Sequence, residues 1–313
     1  MKNILVILTG GTIGSQNTKN IIETNEKSAG SVVKLYTEKY GKDVTFDVIT
    51  PFCILSENMT MDYWNKLIDL IRKNVRLYDG IIVAHGSDTL SYSSNIFGLI
   101  FENSPIPIVF MASNKPLEDE SGNGLINFRN AVVFINTSGE KGVFVSYSNS
   151  IDCNTIYHSC NICEADNYFD NFRAYDGEMY GEIVSEKFVK RTDKNYLEKL
   201  TIPENFKLKK HAILIKPFPD INYDCFDLKN IDAVIHYLYH SSTACVSGNE
   251  NSVLNLIDKC KKENKRFFIA PVKKSQLSVY SSLNSIIKNE FVETIYDCSI
   301  EKAYATALIK INE

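Results

Sequence analysis

The sequence predicts an α/β protein, with a larger N-terminal domain on a mainly parallel sheet and a smaller C-terminal α/β domain. Short apolar runs rich in β-branched residues, Ile4 to Leu8, Ile81 to Ala84 and Pro107 to Met111, alternate with stretches of helical spacing. Such runs suit strands buried on both faces of a parallel sheet. Two of them end in polar turns bracketed by glycine, at the strand ends where open α/β sheets bind ligands. A chain of 313 residues, 44% apolar and 23% charged, is long enough for one large or two moderate cores.

Taken in order, Ile4 to Leu8 is a first buried strand, too short to span a membrane, that breaks off at Thr9-Gly10-Gly11-Thr12. Asn17 to Gly30 is polar enough to be a mobile surface segment and, beside that turn, an active-site lid. Ser31 to Thr37 starts a helix, and Val44 to Ile49 alternates as a strand. Thr60 is placed to cap a helix whose Trp64, Leu67, Ile68 and Ile71 share one face, which makes Trp64 a core residue. Ile81 to Ala84 is the next strand, Leu90 to Ile100 its return helix and Pro107 to Met111 a further strand. Ala131 to Ile135 is expected as another buried strand, then Gly142 to Tyr147 and Ser148 to Asn154 as a strand pair. The region to Phe172 is aromatic and polar, and the charged run from Lys187 to Lys199 is expected as the exit from the first domain. These readings divide the chain into an N-terminal domain at 1–190, a linker at 191–209 and a C-terminal domain at 210–313. In the last, His211 to Ile215, Ile231 to Tyr237 and Arg266 to Ala270 are expected as strands, and Val253 to Lys262 and Ile300 to Ile311 as helices.

A formal net charge of −4 gives no electrostatic case for a nucleic-acid partner, and basic runs such as Lys207 to Lys210 and Lys259 to Arg266 are read as solvated surface. No apolar run approaches a membrane span, and Lys2 to Leu8 meets Thr9-Gly10-Gly11 before any cleavage site, so a cytoplasmic location is expected with no membrane partner. The eight cysteines are too thinly spread for a disulfide scaffold. Cys160 and Cys163 have the spacing of a zinc or redox pair, but no second such pair accompanies them, and structural cysteines are the preferred reading.

The chemistry concentrates in the two glycine turns. Thr12 places a hydroxyl on the rim after the first strand, and Ser87, Asp88 and Thr89 share that rim if the two strands are neighbours. Each residue also suits a helix N-terminus, Thr12 and Ser87 as caps and Asp88 as a carboxylate stabilised by the helix dipole. The spacing of Gly10, Gly11 and Gly14 does not fit a dinucleotide-binding turn.

Together, Thr9-Gly10-Gly11-Thr12-Ile13-Gly14-Ser15 and His85-Gly86-Ser87-Asp88-Thr89-Leu90 resemble the two signature motifs of the bacterial-type asparaginase and glutaminase family. Ser56-Glu57-Asn58-Met59-Thr60 resembles that family's substrate-binding segment, Asn114-Lys115-Pro116 with Asn123, Gly124 and Asn127 a further stretch, and Ser299 to Tyr304 its last helix. The resemblance implies hydrolysis of a small amino-acid amide such as asparagine through a threonine acyl-enzyme, with no metal or organic cofactor. It makes Thr12 the nucleophile, Ser87 the counterpart of a second catalytic threonine, and Asp88 the group that binds the substrate ammonium. Ser56 and Glu57 would hold the rest of the substrate's amino-acid backbone. It further implies a homodimer or homotetramer in which His240 and Ser241, with Ser242 and Thr243, line a neighbour's pocket, with Ser275-Gln276-Leu277 a weaker candidate.

Two departures accompany the resemblance. Residues 13–35 contain no tyrosine to activate the nucleophile, leaving Tyr36 and Tyr40 as distant substitutes, and Thr155 to Cys163 lacks the family's lysine, leaving His158 as a candidate base. An amidohydrolase with a changed substrate and a non-catalytic amino-acid-binding protein are therefore the alternatives, with a component of a larger amidotransferase as a third.

Overall fold

Ile4 to Leu8 are buried because β1 (Lys2–Leu8) has a parallel strand on each side. The computed structural model describes residues 1–11, 15–18, 21–24, 31–150, 153–196, 200–274 and 280–313, with backbone alone over 15–18 and 21–24. The chain divides into two units, Met1–Thr201 and Ile202–Glu313.

In the first unit β1 is followed by an antiparallel hairpin of β2 (Ser15–Thr18) and β3 (Ile21–Thr24), which occupies part of the segment expected as a lid. The remainder of that segment, 19–20 and 25–30, lies outside the described residues. Then come α1 (Ser31–Tyr40), β4 (Val44–Ile49), α2 (Met61–Asn74), β5 (Gly80–Ala84), α3 (Leu90–Ile100), β6 (Pro107–Met111), α4 (Gly124–Thr137), β7 (Gly142–Ser146) and β8 (Thr155–His158). The short pair β9 (Ile162–Cys163) and β10 (Arg173–Ala174) precedes β11 (Gly181–Val184) and β12 (Lys187–Lys190). The main sheet runs β12-β11-β8-β7-β6-β5-β1-β4. Its five strands from β7 to β4 are parallel, and β8, β11 and β12 extend it antiparallel.

Alternation along the strands fills the two faces. Ile4, Val6, Leu8, Ile82, Val109 and Met111 pack with Val32 and Tyr36 of α1 and with Phe128, Ala131, Val132 and Phe134 of α4. Phe110 points the other way, towards Phe97 of α3 and His85, at ring separations of 5.3 and 6.0 Å. On α2, Trp64, Leu67, Ile68 and Ile71 are buried as their spacing requires, and the Trp64 indole donates to Ser93 Oγ at 2.9 Å.

Three sequence expectations are corrected here. Ala131 to Ile135 is helical: β6 and β7 are parallel neighbours and need a crossover, and α4 is buried over most of its length, Asn127 and Asn130 included, so its apolar run need not be a strand. The strand partner of β7 is Thr155–His158, and the described residues between them, 147–150 and 153–154, belong to no strand. Lys187–Lys190, within the charged run expected as an exit, is the edge strand β12, where exposed lysines are compatible with pairing on one side only.

The second unit carries β13 (Ala212–Ile215), β14 (Ala233–Tyr237), α5 (Val253–Lys262), β15 (Arg266–Val272), α6 (Ser281–Ile287), β16 (Val292–Tyr296) and α7 (Ile300–Asn312). The four strands form a parallel sheet in the order β13-β14-β15-β16. Val253, Leu256, Ile257 and Cys260 repeat at helical spacing and bury one face of α5 in this core. Ser299 caps α7 by accepting from Lys302 N at 3.1 Å. Among the described residues, no helix is long and apolar enough to cross a membrane.

Candidate active site

Three chain turns meet above the C-terminal ends of β1, β4 and β5, and glycine makes the meeting sterically feasible. Gly10 and Gly11 adopt φ of 105° and 68°, values that favour glycine. A Cβ on Gly10 would lie 2.2 Å from Ile54 O, and one on Gly11 2.5 Å from Gly86 Cα. A Cβ on Gly86 would in turn lie 2.4 Å from Ser56 Oγ. The contact is pinned by Gly11 N donating to Ile54 O at 2.9 Å, Ile54 N to Thr9 O at 3.0 Å and Thr9 Oγ1 to Ala84 O at 2.9 Å. The first motif, the Ser56 segment and the second motif therefore share one patch of the rim. Thr12, next after Gly11, lies outside the described residues.

Ser87 and Asp88 precede α3, whose N-cap position is Thr89. Thr89 makes no side-chain cap; its hydroxyl donates to Ser56 O at 3.0 Å and ties the second motif to the substrate-segment candidate. The Ser87 hydroxyl and the Asp88 carboxylate take no side-chain hydrogen bond or ion pair among the described residues, so neither acts as a cap. Ser56 is buried and Glu57 is exposed beside it in a short 3-10 turn. His85 is fully buried beneath this rim, with Nδ1 2.8 Å from Gly86 O, and burial pulls its pKa down to about 4. The ring is therefore neutral around pH 7.

Ser87 and Asp88 line a cleft of about 310 Å³ whose other wall is the loop joining β9 to β10: Glu164, Asp166, Asn167, Tyr168, Asp170 and Phe172. The β9–β10 ladder closes the base of this loop, pairing Cys163 with Arg173. Phe172 anchors its far end. Asn149 grips the Phe172 backbone on both sides, donating to its O at 2.7 Å and accepting from its N at 3.0 Å. Tyr157 OH donates to the same carbonyl at 3.1 Å, and the Tyr147 ring sits 4.6 Å from the Phe172 ring. Asn149 is held in turn through its neighbour: Ser148 O accepts from Asn123 Nδ2 at 2.9 Å, and Ser148 N donates to Asn127 Oδ1 at 2.8 Å. Asn123 also exchanges two hydrogen bonds with Asn114. The asparagines singled out between Asn114 and Asn127 thus brace the loops beside the cleft.

The wall was not anticipated as part of the site. Its signal was Glu164, Asp166 and Asp170 within seven residues, interleaved with aromatics and placed directly after a strand. Tyr168 stands at its tip, fully exposed and with φ of 67°, an unusual conformation for a bulky residue.

The proposed substitutes for the missing tyrosine and lysine lie elsewhere. Tyr36 and Tyr40 belong to α1, and the Tyr36 ring is buried against Tyr40, Phe46 and Phe128, where burial raises its pKa. His158 pairs with Phe144, which is level with Val109 and Ile82 across the sheet. That places it five residues before Ser87 along the strand direction, roughly 16 Å at ~3.3 Å per residue. Its ring contacts Phe144, Tyr180 and Tyr196, and Nδ1 accepts from Cys160 N at 3.2 Å. It is a packed histidine, away from the rim. In the second unit, His240 and Ser241 form the turn after β14, with His240 exposed, while Ser275-Gln276-Leu277 lies outside the described residues. Cys160 and Cys163 are both buried and are not joined in a disulfide. Among the described residues, no group of three or more His, Cys, Asp or Glu is arranged to hold a metal ion.

Comparison with known proteins agrees with this architecture. L-asparaginase 1 of Escherichia coli K12 is 28% identical over 134 residues, 42% of this chain and 39% of that protein. A component of the glutamyl-tRNA(Gln) amidotransferase of Sulfurisphaera tokodaii is 23% identical over 232 residues, 70% of this chain and 50% of that protein. The matches thus span half or less of these two relatives' own length. The structure of the thermostable L-asparaginase from Thermococcus kodakarensis superposes with a TM-score of 0.81 at 17% identity, covering 99% of this chain and 93% of that one, and it establishes a shared fold. The sequence model for the asparaginase N-terminal domain matches residues 3–195, more than half of the chain, and on that match the chain belongs to the asparaginase family.

Proposed function

We propose that the protein hydrolyses L-asparagine or a related small primary amide and releases ammonia. The observation that carries this reading is the convergence of three turns, with Gly11 against Gly86 and Gly86 against Ser56, beside a cleft lined by Ser87 and Asp88, whose side chains have no partner among the described residues. In the proposed reaction Thr12 Oγ attacks the amide carbon, its proton leaves with the departing ammonia, and water cleaves the resulting ester to return Thr12 and a carboxylate. Ser87 positions that water. Asp88 binds the substrate ammonium through charge-assisted hydrogen bonds, and Ser56 and Glu57 hold its remaining polar end. Backbone donors at the glycine turns stabilise the oxyanion. The protein acts as a homodimer or homotetramer in which His240 and Ser241 of a neighbouring copy line each pocket. Its cytoplasmic location and its lack of a cofactor belong to the same proposal.

Ammonia release from a panel of small amides tests the proposal: turnover of at least one, lost in Thr12→Ala, supports it. A second reading, a binding protein that has lost turnover, is favoured by one observation: no lysine or histidine is among the described residues lining the cleft. Amino-acid binding with no ammonia from any amide would establish that reading instead.

A further inference from the structure

The cleft beside Ser87 has a charge that the proposed reaction does not require. Asp88 faces a wall carrying Glu164, Asp166 and Asp170, and the described lining residues include no lysine, arginine or histidine. The wall's carboxylates are exposed, at the surface of the cleft and outside the core. The wall itself is held at both ends, by the β9–β10 ladder and by the Asn149 grip on Phe172. A carboxylate-lined cleft with low-dielectric walls concentrates cations and repels anions. Asparagine brings one ammonium and one carboxylate, and binding Asp88 through the ammonium requires the carboxylate to be accommodated near the same field.

We propose that residues 164–170 are the specificity determinant of this site and select primary amides with a net positive charge, an ammonium without a free carboxylate. This rests on the hydrolytic reading above and specifies its substrate class. One amide linkage can be presented in three charge states of nearly equal shape: asparagine α-amide is cationic, asparagine neutral overall and succinamic acid anionic. Cleavage of the side-chain amide in each yields ammonia and the corresponding carboxylic acid.

The test measures kcat/KM for the three compounds on the full chain and, in parallel, their binding by calorimetry on Thr12→Ala. The expected order is cationic over neutral over anionic, with steps on the order of tenfold at low salt that shrink as salt is added. Combined Asp166→Asn and Asp170→Asn narrows the step between asparagine α-amide and asparagine, while succinamic acid stays lowest because it lacks the ammonium that Asp88 binds; the thermal midpoint stays near that of the parent, since both side chains are exposed. Preference for asparagine over its α-amide, or a step between these two that is unchanged in the neutralised variant, overturns the wall's role and leaves the hydrolytic reading standing. Absence of turnover for all three contradicts the hydrolytic reading, and the binding order then decides the charge selectivity by itself.

Discussion

Gly11 illustrates how closely the rim depends on single residues. Its φ of 68° and its place 2.5 Å from Gly86 Cα, measured to a Cβ it does not have, leave no room for a methyl group. Gly11→Ala should cost about 1–3 kcal/mol in urea unfolding from backbone strain alone, and more of the activity than of the stability, because Thr12 is the next residue. A fully active Gly11→Ala protein would show that the two turns need not touch. The place of Gly10, Gly11, Ser87 and Asp88 on one rim was legible in the sequence because each follows a strand end with no apolar role to fill. The wall residues Glu164, Asp166 and Asp170 were not, because exposed acidic and aromatic side chains in a loop look the same whether they face a cleft or open solvent. Their relation to Ser87 depends on the β9–β10 pairing, which joins residues ten and twelve apart through two rungs.

At the scale of elements, boundaries marked by a local signal were readable, and those set by tertiary packing were not. Leu90–Ile100 and Val253–Lys262 are helices over the expected residues, each with a polar start and a repeating apolar face. Ala131 to Ile135 misled because a short apolar run rich in β-branched residues is equally a buried strand or one side of a buried helix. Lys187–Lys190 misled because an edge strand tolerates charges that a central strand excludes. The loop between β9 and β10 makes a prediction at this scale. Asn149→Leu removes both hydrogen bonds to the Phe172 backbone and releases the wall from the loop after β7. KM for the preferred amide should rise several-fold while kcat changes less, and Asn149→Asp should fall between the two, since it keeps the acceptor and loses the donor. A lowered thermal midpoint with unchanged KM would assign Asn149 to stability alone.

For the whole molecule, two buried histidines couple stability to pH. Burial lowers the pKa of His85 in the first unit and of His236 in the second to about 4, from the ~6.5 of an exposed histidine. His236 also shares a 2.6 Å hydrogen bond with the buried Tyr223 hydroxyl. Between these values the unfolded chain binds protons that the folded chain does not. The stability is thus fully present above pH 6.5 and is lost as pH falls towards 4. Each histidine should cost about 2 kcal/mol of its unit's stability at pH 5 relative to pH 7.5, read from urea midpoints. Histidine resonances from both rings should remain those of neutral imidazole down to about pH 4. Titration of either near pH 6.5 would show that water reaches it.

The central claim, that Thr12 is acylated in an asparaginase-family rim completed by Ser87 and Asp88, is tested most directly by intact-mass measurement during turnover of asparagine and its α-amide. The expected adduct maps to Thr12, is absent in Thr12→Ala while ligand binding persists, and accumulates in Ser87→Ala because water is then poorly placed. Ser87→Thr should keep or raise turnover. An adduct on Ser87 that survives in Thr12→Ala would contradict the account and reverse the two hydroxyls' roles.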